Sequence, residues 1–146
     1  MTHIVVDASI ALAWCFPDEA NQYADAVLVA LEGRQILVPA IWVLEITNAI
    51  SVAERRKRIN LPEIRRFVEL LEGLTINEDS LSISKSVNNI LPLTQEYNLS
   101  AYDASYMAAA MRHGAPLATL DAKLKKAAGK AGVEILSVTQ LRKTSI

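Results

Sequence analysis

The chain has 146 residues, of which 51% are hydrophobic and 21% are charged, a composition that predicts one folded domain and excludes disordered, collagen-like and disulfide-stapled proteins. With one cysteine and two histidines, neither an internal disulfide nor a structural zinc site is expected. The net charge of −1 gives no indication of a nucleic acid or membrane partner, whereas the mean hydropathy of +0.21 indicates some apolar interface.

Short apolar runs, rich in β-branched residues and bounded by helical patterns, predict strands that are buried on both faces. In chain order the predicted strands are Ile4–Val6, Ile36–Val38, Thr75–Ile76, Pro116–Thr119 and Val133–Leu136. The segments between them predict helices, which we place at Ala8–Phe16, Asp18–Leu31, Ala40–Lys57, Leu61–Glu72, Ser80–Glu96, Ser100–His113 and Asp121–Ala128. Pro92 predicts a break or kink near Leu91.

Strands that alternate with helices are typical of βαβ units, in which the strands run parallel. The pattern therefore predicts a single domain over residues 1–146 with a three-layer α/β/α architecture and a central, mainly parallel sheet. No targeting segment is expected, because the longest uncharged apolar run near the N-terminus, Ile10–Phe16, is far shorter than the ~20 residues that span a bilayer. A cytoplasmic protein without membrane contact is expected.

Four acidic residues stand at the ends of predicted strands or within apolar helical segments, where a carboxylate is a candidate for a functional role. Asp7 follows the first predicted strand and Asp121 follows the fourth, and sites in parallel sheets form beyond the carboxyl ends of the strands. Glu45 and Asp103 lie in otherwise apolar helical segments, where a carboxylate is costly to bury without a compensating group. A divalent cation such as Mg²⁺ or Mn²⁺ would compensate them, because hard oxygen ligands suit these ions.

Each of these acids also has a purely structural interpretation, which the sequence leaves open. Asp7 and Asp121 could cap the helices that follow them, and Asp103 stands at capping-box spacing from Ser100. Glu45 could be an ordinary surface residue of its helix.

Small polar residues accompany the acids, and basic residues lie farther away. Ser9, Asn48 and Thr119 are candidates for supporting donors that hold carboxylates in place. A basic run from Arg55 to Arg58 could be a solvated helix end or a surface that follows a phosphate backbone, and Lys123 begins a second basic group.

The short motifs around the four acids resemble those of the PIN-domain nucleases. They are Ile4-Val5-Val6-Asp7-Ala8-Ser9, Glu45 followed by Asn48, Tyr102-Asp103-Ala104, and Thr119-Leu120-Asp121-Ala122-Lys123-Leu124. Their order and spacing fit over essentially the whole chain. At this length the chain is similar to the VapC-type toxins of toxin–antitoxin modules.

The resemblance implies a magnesium-dependent endoribonuclease, with Mn²⁺ as a substitute for Mg²⁺. Asp7 and Asp103 would be the principal metal ligands, and Glu45 and Asp121 would complete the catalytic acidic pocket. The resemblance further implies a homodimer and a cognate antitoxin protein that blocks the pocket. Because an acidic pocket repels RNA, basic residues at its rim must supply the backbone contacts. The candidates for these RNA contacts are Arg55, Arg56, Arg58 and Lys123.

Three other interpretations remain open. A phosphorylation-dependent receiver domain also places acids at strand ends, but it would need a pair of acids after the first strand, and here Asp7 stands alone. A PIN-like fold that serves only as a binding module is a second alternative. An RNA-maturation nuclease without an antitoxin is a third, and the sequence does not separate it from a toxin.

Overall fold

A computed structural model describes residues 3–137. The strands are β1 (His3–Val6), β2 (Gln35–Pro39), β3 (Thr75–Asp79) and β4 (Leu117–Ala118). The helices are α1 (Ala8–Cys15), α2 (Gln22–Ala30), α3 (Ile41–Arg55), α4 (Leu61–Glu72), α5 (Ile83–Tyr97), α6 (Ala101–His113) and α7 (Ala122–Lys130). Within this part of the chain, no helix is both long and apolar enough to cross a membrane.

The four strands form one sheet in the order β3-β2-β1-β4, and every pairing is parallel. The register aligns Ile4 with Ile36 and Val5 with Leu117, so β1 lies between β2 and β4. Helices α2, α3 and α4 pack against α1, whereas α6 lies on β1 and β2 and contacts α5 and α7. The predicted three-layer α/β/α fold with a parallel sheet is therefore confirmed.

The core explains why β1, β2 and β4 contain continuous apolar runs. Val5, Val6 and Ile36 are completely buried, as is Leu117 on the other side of β1. A strand that is covered by helices on both faces has no solvent-facing positions, so it shows no alternation of polar and apolar residues. Burial on both faces also fixes the position of the carboxyl end of β1, where the first of the four acids stands.

The predicted helix Asp18–Leu31 is wrong at its beginning. Pro17–Glu19 form a single 3-10 turn, and α2 starts only at Gln22. The reason is Asn21, whose side chain accepts hydrogen bonds from the backbone N–H groups of Tyr23 and Ala24 at 2.8 and 3.1 Å. An asparagine that caps the next helix stops the preceding turn from continuing.

A break or kink was predicted near Leu91, and the break is wrong, because α5 continues through Pro92. Pro92 is exposed, so water can bond the backbone carbonyl that loses its helical partner. Leu93 is buried next to it and packs into the core, which supports the helix on the far side of the proline. Tertiary packing therefore outweighs the local preference.

The third and fifth predicted strands differ from the structure in length. The strand predicted at Thr75–Ile76 extends to Asp79 because β3 pairs with β2 along its whole length. The strand predicted at Val133–Leu136 is reduced to one bridge, in which Ile135 lies beside Leu117. The bridge still covers the outer edge of β4, since the Leu117 N–H donates to the Glu134 carbonyl at 2.8 Å.

Candidate active site

The carboxyl end of β1 places Asp7 in the interior of the molecule. The Asp7 N–H donates to the Ala118 carbonyl of β4 at 3.2 Å, which continues the sheet pairing to this residue. Its side chain caps α1 by accepting a hydrogen bond from the Ile10 N–H at 3.3 Å. The capping interpretation is thus correct for Asp7, but it does not account for the hydroxyl groups that surround the same carboxylate.

Two hydroxyl groups hold the Asp7 carboxylate from opposite sides. The Ser9 hydroxyl donates to Oδ1 at 2.5 Å, and the Thr119 hydroxyl donates to Oδ2. Each hydroxyl also accepts a backbone N–H from the segment after β4: Leu120 donates to Ser9 at 2.9 Å and Asp121 donates to Thr119 at 3.0 Å. The two backbone N–H groups are donors and cannot accept a proton from either hydroxyl. The hydroxyl protons of Ser9 and Thr119 therefore point at the Asp7 carboxylate.

The environment of Asp7 raises its pKa from 3.8 to about 6. Burial is the largest cause, since the residue is 5% exposed, and the nearby charge of Asp121 adds to it. The hydrogen bonds from Ser9, Thr119 and Ile10 oppose the shift because they stabilise the ionised form. The fold thus holds a carboxylate whose negative charge is only partly compensated by its neighbours.

The other three acids lie around the same region. Burial is also the largest cause of the raised pKa values of Glu45 and Asp103, which are both half-buried. The charge of Asp103 raises the pKa of Glu45 further, and the charge of Asp121 does the same for Asp103. Asp121 is exposed and caps α7 by accepting the Leu124 N–H at 3.0 Å. These mutual effects link all four acids in one electrostatic cluster, which we call the acidic cluster.

Asp79 provides a contrast, because it also ends a strand but is held in an ion pair. Its side chain is 8% exposed and accepts from Arg112, while Nε2 of His113 lies 3.0 Å from Oδ1. The rule that polar residues at strand ends form sites would have selected Asp79 as well. The Arg112 cation on α6 makes it a structural acid, whereas the acidic cluster contains mainly like charges.

The basic residues predicted to contact RNA lie at different distances from the acidic cluster. Lys123 is near enough to Asp103 to lower the pKa of that acid. Arg55 and Arg56 are exposed at the end of α3, about 15 Å along the helix from Glu45 at roughly 1.5 Å per residue. Arg58 bonds Asp18 at 2.9 Å and stacks over the Phe16 ring at 4.9 Å, so it is already engaged.

Asn48 was predicted to support a carboxylate and bonds none in the described part of the chain, whereas Tyr106 was not predicted and bonds one. Asn48 is exposed one turn after Glu45, and within residues 3–137 its side chain makes no hydrogen bond. Tyr106, which the sequence analysis missed, is 1% exposed and donates its hydroxyl to Oε1 of Glu45 at 2.7 Å. Its signal in the sequence was weak: a tyrosine three residues after Asp103, in an alanine-rich helix.

The donor set of the acidic cluster fits a hard divalent cation. It consists of carboxylate oxygens, and their mutual repulsion would be relieved by a positive charge. Within residues 3–137, no three His, Cys, Asp or Glu side chains already form a group that could hold one ion. The fit therefore depends on the chemistry and electrostatics of the acids.

Comparison with known families decides the identity of the domain. The PIN domain model matches residues 4–130. The chain belongs to the PIN-domain family. PIN domains are generally nucleases, and the family supports a hydrolase that uses a divalent metal. No curated protein matches the sequence of this PIN domain significantly.

Solved structures share the PIN fold at low sequence identity. PAE2754 from Pyrobaculum aerophilum has a TM-score of 0.70 at 22% identity, covering 97% of this chain and 90% of its own. FitAcB from Neisseria gonorrhoeae has a TM-score of 0.61 at 18% identity, covering 93% and 98%. VapBC2 from Rickettsia felis, bound to a DNA fragment from its promoter, has a TM-score of 0.64 at 15% identity, covering 92% and 97%. These likenesses show the fold.

Proposed function

We propose that this PIN domain is a Mg²⁺-dependent endoribonuclease and the toxin of a VapBC-type toxin–antitoxin system. The observation that carries the proposal is the acidic cluster, which lies at the carboxyl ends of β1 and β4 in a PIN fold. A cluster of like charges around a buried carboxylate is expensive for the fold. This cost has a functional explanation if the acidic cluster binds a cation that takes part in the reaction.

The roles of the residues follow from their positions. Asp7 and Asp103 would hold the ion, and Glu45 and Asp121 would complete the acidic pocket. When bound, Mg²⁺ supplies a positioned, activated water and neutralises charge that develops on the scissile phosphate. Ser9 and Thr119 restrict the Asp7 carboxylate to one orientation, because each donates to a different oxygen.

RNA must approach an acidic pocket, so contacts to its backbone have to come from cations at the rim. Lys123 would make the contact nearest to the reacting phosphate, since it is close to Asp103. Arg55 and Arg56 are exposed and would contact the strand farther along. Arg58 contributes less, because its guanidinium already bonds Asp18.

Metal dependence is the direct test of this proposal. Cleavage of RNA should stop in chelator and return when Mg²⁺ or Mn²⁺ is added in excess of the chelator, because the acids present only hard oxygen ligands. The measurement is the rate of internal cleavage of an end-labelled RNA, with a DNA of the same sequence as a control. Full activity in chelator would contradict the proposal.

An antitoxin and a second copy of the chain are the proposed partners. Near the acidic cluster, an apolar groove of about 460 Å³ is lined by Leu44 and Tyr102, which directly precede Glu45 and Asp103. Leu44 and Tyr102 are 64% and 61% exposed. Exposed apolar surface of this kind is typical of protein interfaces, and such a groove would accept an apolar helix.

If an antitoxin inserts an Arg or Lys side chain into the acidic pocket, its binding competes with the metal. The candidate antitoxin would be the product of a short reading frame immediately upstream, if the gene has one there, and its affinity should fall as Mg²⁺ rises. It should also fall in the Asp7→Asn/Asp103→Asn double variant. Calorimetric titration at several Mg²⁺ concentrations measures both effects. An affinity that is indifferent to metal and mutation would exclude the basic anchor, and a strictly monomeric protein that does not bind the upstream product would contradict the toxin assignment.

A further inference from the structure

Tyr106 is a buried tyrosine whose hydroxyl contacts an acid of the cluster. It lies in α6, is 1% exposed, and its hydroxyl donates a hydrogen bond to Oε1 of Glu45 at 2.7 Å. A buried phenol needs a hydrogen-bond partner, but a backbone carbonyl would satisfy it equally well. Tyr23 illustrates that case, because its hydroxyl donates to the Leu136 carbonyl at 2.6 Å.

The same hydroxyl connects three elements of the site. The backbone N–H of Ala8, the residue after Asp7, lies near enough to the Tyr106 hydroxyl to oppose the rise in its pKa that burial and Glu45 cause. Glu45 belongs to α3, and Tyr106 belongs to α6. One oxygen atom therefore lies between the start of the helix that follows Asp7 and the carboxylate of Glu45. Glu45 is half-buried and has three side-chain torsions, so without this donor its carboxylate would lose a fixed direction.

The helix geometry adds a second constraint. Asp103 and Tyr106 are three residues apart in α6, so they lie on one face of the helix. Helix α6 thus presents one carboxylate of the cluster and, one turn later, the donor that holds another. The Asp103 carboxylate and the hydroxyl that orients Glu45 therefore belong to one helix, and the hydrogen bond from Tyr106 connects that helix to the Glu45 side chain on α3.

We propose that Tyr106 is a positioning residue that orients Glu45 in the acidic cluster and so supports binding of the divalent cation. This inference rests on the proposed function. A hydrogen-bonding partner outside the ligands typically contributes about 10- to 100-fold to metal affinity or activity. Tyr106 itself would touch neither the ion nor the RNA.

The test uses Tyr106→Phe, which removes only the hydroxyl, and Tyr23→Phe as the matched control. Mn²⁺ binding is measured by electron paramagnetic resonance, which detects free Mn²⁺ and is independent of catalysis. Tyr106→Phe should weaken Mn²⁺ binding by about 10-fold or more, whereas Tyr23→Phe should change it less than about twofold. With RNA and saturating Mg²⁺, Tyr106→Phe should lower kcat and leave KM nearly unchanged, since the hydroxyl does not contact the substrate.

A double-mutant cycle identifies the residue through which Tyr106 acts. In the Glu45→Gln background, Tyr106→Phe should have little further effect on Mn²⁺ affinity, because the carboxylate it orients is gone. If Tyr106→Phe does not fold, as judged by circular dichroism, Glu45→Asp provides the same test. It keeps the charge but withdraws the carboxylate from the hydroxyl, and the same loss of affinity is expected.

The possible results distinguish the positioning role of Tyr106 from the proposed function of the domain. Wild-type Mn²⁺ affinity and kcat in Tyr106→Phe, even with a lower melting temperature, would overturn the positioning role and leave the proposed function intact. An equal loss in the wild-type and Glu45→Gln backgrounds would also overturn it, because Tyr106 would then act by another route. A wild-type protein that binds no Mn²⁺ and cleaves no RNA would overturn both.

Discussion

Replacing Asp103 with Asn is expected to lower the rate of RNA cleavage by more than about 100-fold, and Asp7→Asn should do the same. Both would remove a ligand of the ion, which is a larger loss than the 10- to 100-fold typical of residues that only support a ligand. The measurement is kcat/KM for one RNA at saturating Mg²⁺. The matched control is Asp25→Asn, because Asp25 is an exposed acid on α2 outside the acidic cluster.

The result would separate catalysis from capping. Asn accepts the same backbone hydrogen bond as Asp, so Asp7→Asn should leave α1 capped and the protein folded. A variant that folds normally and retains more than about a tenth of the wild-type kcat/KM would contradict a metal-binding role for that acid.

The stability of the protein in chelator is expected to depend on pH through Asp7. Its pKa is about 6 in the folded state, against 3.8 as the reference for the unfolded chain. Between these values the folded state binds more protons, so its stability falls as pH rises. At about 1.4 kcal/mol per pKa unit, the ionised carboxylate costs the fold about 3 kcal/mol at pH 7, and this cost disappears below about pH 4.

Comparison with Asp7→Asn isolates this effect from the other titrating groups. The free energy of unfolding, measured by denaturant titration in chelator, should fall by about 2.4 kcal/mol more in the wild type than in the variant as pH rises from 4 to 7. Added Mg²⁺ should reduce the difference at pH 7, because a bound ion stabilises the folded state. A difference that stays constant across this range would show that burial does not perturb Asp7.

The sequence was sufficient to predict the architecture, because strand and helix patterns alternate and the inner segments Ile4–Val6, Ile36–Val38 and Leu117–Ala118 are uniformly apolar. The errors occurred where a longer-range or competing local interaction decides the outcome. Pro92 signals a break, but packing of the adjacent Leu93 keeps α5 continuous. The Asn21 side chain moves the start of α2, an effect that the helical pattern of its neighbours conceals.

The site residues that directly follow a strand were predictable from the sequence. Asp7 and Thr119 follow adjacent parallel strands, so the topology brings them together once the strand order is known. Tyr106 was not predictable, because its contact with Glu45 joins two helices 61 residues apart in the chain. The strand-end rule also cannot distinguish Asp79, whose pairing with Arg112 depends on where α6 ends. The functional roles of the acids stay predictions.

The contact between Thr119 and Asp7 joins residues 112 positions apart, and it has a consequence for the timing of synthesis. A nascent chain that ends after α6 contains Asp7, Glu45 and Asp103, but lacks β4, Thr119 and Asp121. In such a chain β1 has no neighbour on one side, and one hydroxyl that holds Asp7 is absent. At ~5–20 residues per second, the ribosome makes this part only after the segments that carry the other three acids. An activity that needs all four acids therefore begins only after β4 and Asp121 have been synthesised and β4 has paired with β1.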